Sequence, residues 1–194
     1  MFDFGMRPGP SAWPPGTTPG RTYRFFTGTP VLPFGFGLSY TNFTYTPLPD
    51  PHPPAARPDG MHSIVDLSGV RAALAESSPI GHIHAGLQTA AGQYWVNVTN
   101  TGPIDSDDVV LGFLVPPGAG QNGVPLQQLF GFERVHVRAG TTVTVYIAAN
   151  GVSFTQPLAD GRRVALPGEY TVRFGVAETA AFGMGYSEFK VLAV

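Results

Sequence analysis

Few side chains in this 194-residue sequence stand at spacings that chemistry would need. His82 and His84 flank Ile83, which puts two imidazoles on one face of an extended segment, as a pair of metal ligands would stand. No third ligand is identifiable beside them, and such a pair near a loop reads first as solvated. Asp105-Ser106-Asp107-Asp108 has the spacing of half a calcium loop, but the glycine and the distal glutamate of an EF-hand are missing, so a solvated turn is the better reading. Gly35-Phe36-Gly37 is not a phosphate cradle, since no lysine follows and no helix opens after it. Ser39 has no neighbouring histidine to activate it. Asp3 is the only carboxylate before Asp50, and the later ones fall in turns and strands where no cleft can be argued. The chain has no cysteine, so disulfides, thiol chemistry and Cys-based zinc sites are excluded. No metal and no cofactor is implied. Asn42-Phe43-Thr44 and Asn97-Val98-Thr99 are sequons, making Asn42 and Asn97 glycan acceptors if the protein is secreted by a eukaryote.

The elements that must carry these residues follow from composition and period. Hydrophobic residues make up 43% and charged ones only 12%, enough for a core and no signature of disorder. Gly 25 and Pro 20 together favour many short strands joined by turns. A net charge of −2, with ten arginines and one lysine scattered along the chain, implies neither nucleic acid nor an anionic membrane. No apolar run approaches the roughly 18 residues that span a bilayer.

From Gly92 the period is two. Tyr94, Val96 and Val98 alternate with Trp95, Asn97 and Thr99. Val109 to Val115 is apolar on both faces, as in a central strand. Further strands are expected in Leu126–Val137, Thr141–Ala148, from Tyr170 to Val176, and Tyr186–Leu192, with the first at Leu38–Thr46. About seven strands make an all-β, immunoglobulin-like sandwich. Pro47 to Asp59, with six prolines, reads as an extended linker outside any sheet, and Ser68–Ser78 as a short helix with Ser68 as its cap. Together they predict an insertion over about 47–85.

Residues 19–43 organise the N-terminal part, packing Tyr23, Phe25, Phe26, Phe34, Phe36, Tyr40 and Phe43 around Gly28, Gly35 and Gly37. Such a run cannot be one regular helix. The first twenty residues show no basic region followed by an apolar one, so they do not read as a secretory signal. Their Pro- and Gly-rich composition leads us to expect that Met1 is an internal methionine of a longer protein.

Pro19-Gly20-Arg21-Thr22-Tyr23-Arg24-Phe25-Phe26 and Pro33-Phe34-Gly35-Phe36-Gly37-Leu38-Ser39-Tyr40-Thr41-Asn42-Phe43 resemble the C-terminal hinge of glycoside hydrolase family 3, in its β-xylosidase and plant-type branch. Val96–Gly102, Gly123–Val135, Ala139-Gly140-Thr141 and Leu166–Gly175 resemble the fibronectin type III-like domain that ends those enzymes. The resemblance implies that residues 1–33 are the tail of an α/β-sandwich domain and a hinge, and that 34–194 are the fibronectin type III-like domain with its insertion. It also implies a retaining, exo-acting hydrolase of terminal β-linked sugars whose nucleophile and acid/base lie in a barrel and an α/β-sandwich absent here. The partners implied are those two domains and, through them, a β-linked oligosaccharide, with an extracellular setting for the family. Arg21, Thr22, Tyr23 and Arg24 would then either line the rim of the sugar pocket or pack and pair at the hinge, the second being favoured. The alternative is a free-standing β-sandwich that binds carbohydrate or protein; Trp95 and Tyr146 would serve it, but the sequence shows no clear aromatic row.

Overall fold

The computed structural model describes residues 5–12, 15–50, 61, 63–76, 85–88, 90–158, 160–176 and 185–194. A hairpin comes first, β1 (Gly9–Ala12) against β2 (Pro15–Thr18), then a single helical turn, α1 (Thr22–Phe25). After the aromatic stretch come β3 (Phe43–Leu48), β4 (Ser63–Val65), α2 (Ser68–Glu76) and a 3-10 turn at Ala85–Gln88. Four longer strands follow: β5 (Ala90–Asn100), β6 (Ser106–Val115), β7 (Gln128–Val137) and β8 (Thr142–Asn150). A 3-10 turn at Gly151–Phe154 leads to the small hairpin of β9 (Thr155–Pro157) and β10 (Arg163–Ala165). The order ends with β11 (Gly168–Phe174) and β12 (Ser187–Ala193).

Two sheets face each other, a five-stranded one ordered β4-β12-β11-β6-β7 and a three-stranded one ordered β3-β5-β8. Period-two alternation fills the space between them. Tyr94, Val96, Val98, Val145 and Ile147 come from the small sheet, and Val110, Leu114, Tyr170, Val172, Phe174 and Val191 from the large one, all buried in one cluster. Asn100, fully buried at the end of β5, ties three segments together. Its amide nitrogen donates to the carbonyls of Ile104 and Val137, while its oxygen accepts from Thr41 Oγ1 and from the Gly102 N–H.

The all-β sandwich is the expected class, and each of the seven expected strands is present. Four local expectations are corrected. The first strand starts at Phe43 rather than Leu38, because Thr41 and Asn42 are spent on Asn100 and on the Thr101 N–H instead of a ladder. Pro47 and Leu48 lie inside the sheet, paired with Val96 and Trp95; β3 is an edge strand, where a missing N–H is tolerated. The stretch expected as an insertion is in part built into the sandwich. Within it, β4 runs parallel to β12, and α2 adds Val70 and Ala73 to the core beside Leu67 and Leu87. The capping oxygen of α2 comes from Asp66, which accepts from the Ser68 N–H at 2.8 Å, and not from Ser68.

Candidate functional site

The large sheet presents a second apolar surface on its outer face, through Leu111 and Phe113 of β6, and the N-terminal stretch is laid across it. Tyr23 stacks on Phe34 with ring centroids 4.3 Å apart, and both rings meet the edge or face of Phe113, at 5.8 and 6.1 Å. Tyr186 completes the cluster at 5.9 Å from Phe113, and Gln127 Nε2 donates to its hydroxyl. Phe113 is thereby fully buried on the side facing away from the sandwich core. Polar contacts fix the register of this strap. The Leu126 N–H donates to Arg24 O at 2.7 Å, Arg24 Nη2 donates to Gln128 Oε1 at 3.1 Å, and the Leu129 N–H points at the Tyr23 hydroxyl at 3.4 Å. Gly35 sits at φ +83°, a backbone conformation that strains residues with a side chain, and a Cβ there would also push on Leu111 Cδ1.

Of the four residues expected at a rim or hinge, Tyr23 and Arg24 are thus turned down onto β7 and the loop before it, while Arg21 and Thr22 are exposed. Thr22 has φ +64°, a left-handed conformation that strains a β-branched residue. Arg24 Nε is buried without a partner. Burial, and then the like charge of Arg24, hold the Arg163 guanidinium below its ordinary value; Arg163 Nε donates to Thr155 Oγ1. Where the strap begins, a groove of about 270 Å³ opens between Arg7, Phe25, Thr27, Asn122, Val124 and Leu126. The Arg7 guanidinium lies 5.1 Å over the Phe25 ring, and its Nε donates to Gly123 O. The strap also leaves apolar side chains in solvent: Val31 is 96% exposed, Leu38 86% and Tyr40 92%.

The carboxylates are held elsewhere. Asp107 pairs with His136 and Arg134, whose hydrogen bonds, His136 first, hold its carboxyl below the usual range. Asp105 accepts from the Ala139 N–H, and Asp108 from the Tyr45 hydroxyl, so two carboxylates of the Asp105–Asp108 run are engaged by neighbouring segments of the sandwich. Asp160, Glu188 and Glu169 pair with Arg162, Arg173 and Lys190. Among the described residues no acidic one lines the groove, and no group of three His, Asp or Glu is close enough to hold a metal. His82, His84 and Asp3 lie outside the described residues. Of the sequon asparagines, Asn42 is exposed, and Asn97 is half-buried on the outer face of β5, where it accepts from Thr144 Oγ1 at 2.7 Å.

Sequence reasoning did not find the surface that receives the strap. Its parts, Phe113, Gln128, Leu129 and Tyr186, lie about ninety residues or more beyond Tyr23, and no local pattern links them.

Residues 108–177, from β6 to just past β11, match the model of the fibronectin type III-like domain, so the sandwich is of that class. Beta-D-xylosidase 1 of Arabidopsis thaliana is 34% identical over 162 residues, taking in 82% of this chain and 20% of that protein. A probable exo-1,4-beta-xylosidase, bxlB of Aspergillus fumigatus, is 34% identical over 180 residues, 92% of this chain and 20% of its own length. The solved structure of a GH3 exo-beta-xylosidase in complex with a xylobiose aziridine activity-based probe superposes with a TM-score of 0.69 at 24% identity. It covers 99% of this chain and 22% of that one. The chain corresponds to the fibronectin type III-like part of glycoside hydrolase family 3 β-xylosidases, and it spans about a fifth of the length of the curated relatives it matches.

Proposed function

We infer that this chain is the C-terminal, non-catalytic scaffold of a family 3 glycoside hydrolase that removes terminal β-linked sugars from xylan or related wall carbohydrate. A retaining mechanism needs two carboxyl groups about 5–5.5 Å apart, and in this reading a barrel and an α/β-sandwich domain supply them. The observation that carries the reading is the strap. It is anchored on one side by Tyr23, Phe34 and Gly35, and on the other it holds Val31, Leu38 and Tyr40 out into solvent. An exposed apolar ridge of that kind suits an interface with a second domain. Arg24, with its buried orphan Nε, and Arg163, under the same positive field, suit a carboxylate of the neighbouring domain. Arg21 and Thr22, exposed beside them, would form the outer edge of the sugar pocket. The setting is extracellular, and Asn42 is the more accessible glycan acceptor.

The test joins this chain to the preceding domains of the Arabidopsis relative, in place of that protein's own corresponding segment. The isolated chain should release no nitrophenol from aryl β-xylosides or β-glucosides, whereas the chimera should. Leu38→Asp with Tyr40→Asp should lower chimera activity or thermal stability at least tenfold or by several degrees, and leave the isolated chain folded. Turnover that tracks the isolated chain through chromatography, or a chimera indifferent to the double substitution, would overturn the scaffold reading.

A further inference from the structure

The outer face of the three-stranded sheet carries an order that sandwich packing does not require. Strand register sets three rows across it. Leu48, Trp95 and Tyr146 form one, Thr46, Asn97 and Thr144 the next, and Thr44, Thr99 and Thr142 the last. None of the nine side chains is charged at neutral pH. The Trp95 and Tyr146 rings lie 5.3 Å apart with their planes at 46°, and Tyr146 is 46% exposed. The polar rows are held in place by side-chain hydrogen bonds, Thr144 to Asn97 at 2.7 Å and Thr99 with Thr142 at 2.8 Å.

We propose that this face binds a single chain of neutral β-linked polysaccharide. The rings offer apolar faces to the C–H surfaces of sugar rings, and the hydroxyl and amide groups of the next two rows can both donate to and accept from sugar hydroxyls. Residues two apart on a strand are separated by about 7 Å, so the three rows extend over about 14 Å, room for a short run of sugars. An uncharged face complements an uncharged polymer and gives a polyanion nothing to neutralise. Because the two ring planes are tilted by 46°, no single flat crystalline surface lies on both at once. The inference stands on the sheet face alone and holds whether or not the chain serves a hydrolase.

The test is affinity gel electrophoresis of the whole chain, made in a host that leaves Asn97 unmodified, in gels containing soluble xylan or mixed-linkage β-glucan. Retardation is expected, weakened about tenfold or more by Trp95→Ala or Tyr146→Ala. Phe132→Ala, which removes an exposed aromatic (64%) of the other sheet, should leave it unchanged. If Trp95→Ala fails to fold, the Trp13→Phe chain keeps Trp95 as its one tryptophan, and adding xylohexaose should shift its emission. The proposal falls if neither polysaccharide retards the chain, if Tyr146→Ala binds as well as the parent, if Phe132→Ala loses binding equally, or if crystalline cellulose is preferred.

Discussion

Tyr45 joins the two sheets with a single contact, its hydroxyl donating to Asp108 Oδ2 at 2.7 Å from a position packed against Gly175. Burial, and then the charge and hydrogen bond of Asp108, push this phenol far above its ordinary value of 10.0. Tyr94 and Tyr170 are raised as well, chiefly by burial. The unfolded chain releases these protons once the pH passes 10.0, while the folded chain retains them, so the unfolded state binds fewer protons and stability falls as pH rises. Below that pH the contribution is fully present. Urea unfolding midpoints should therefore drop as the pH rises from 10 to 11, each tyrosine contributing about 1 kcal/mol over that unit and approaching about 1.4 kcal/mol per unit above it. Tyr45→Phe should flatten the slope by one tyrosine's share while lowering stability at pH 7 by about 1–3 kcal/mol, because Asp108 loses its donor. An unchanged slope in Tyr45→Phe would mean that the phenol is not held neutral by the fold.

At the scale of elements, the strap behaves as a unit whose seat is set by one glycine. Gly35→Ala combines a positive φ with a collision at Leu111, and should cost about 2 kcal/mol of local stability. Hydrogen exchange and limited proteolysis would show residues 22–36 released while β5, β6 and β11 keep their protection; a strap that stayed protected would refute the assignment. The longer strands were legible because half-buried sheets impose alternation, visible at Tyr94, Val96 and Val98, and because Val109–Val115 is apolar throughout. What escaped was short or non-local. A strand of three residues such as Ser63-Ile64-Val65 shows no period and exists only because β12 lies beside it. The β1–β2 and β9–β10 hairpins are of the same kind. The hydroxyl rows beside Trp95 were invisible for a related reason. Thr44 and Thr46 come from a strand some fifty residues earlier, and they join Asn97 and Thr99 only once register is known. Of the candidate site, the sequence marked Tyr23 and Arg24, but not what they rest on.

For the whole molecule, the strap and the sandwich form one packed body with two apolar layers, one between the sheets and one under Tyr23 and Phe34. Beginning the chain at Phe34 removes Tyr23 and uncovers Phe113, which is fully buried when the strap is in place. The shortened chain should keep its β circular dichroism, bind a hydrophobic dye, and melt roughly 5 °C lower, the effect of losing one or two buried aromatic contacts. An unaltered melting temperature would show that the outer layer contributes nothing. The position of β12 has a consequence for biosynthesis. Residues 187–193 lie between β4 and β11 in the large sheet, although they leave the ribosome long after β4 and just after β11. Until they emerge, both neighbours present bare strand edges, and the large sheet can close only when nearly all of this stretch has been made. The nascent protein thus passes through an adhesive interval, during which a chaperone has more to protect than in a domain whose middle strand is translated first.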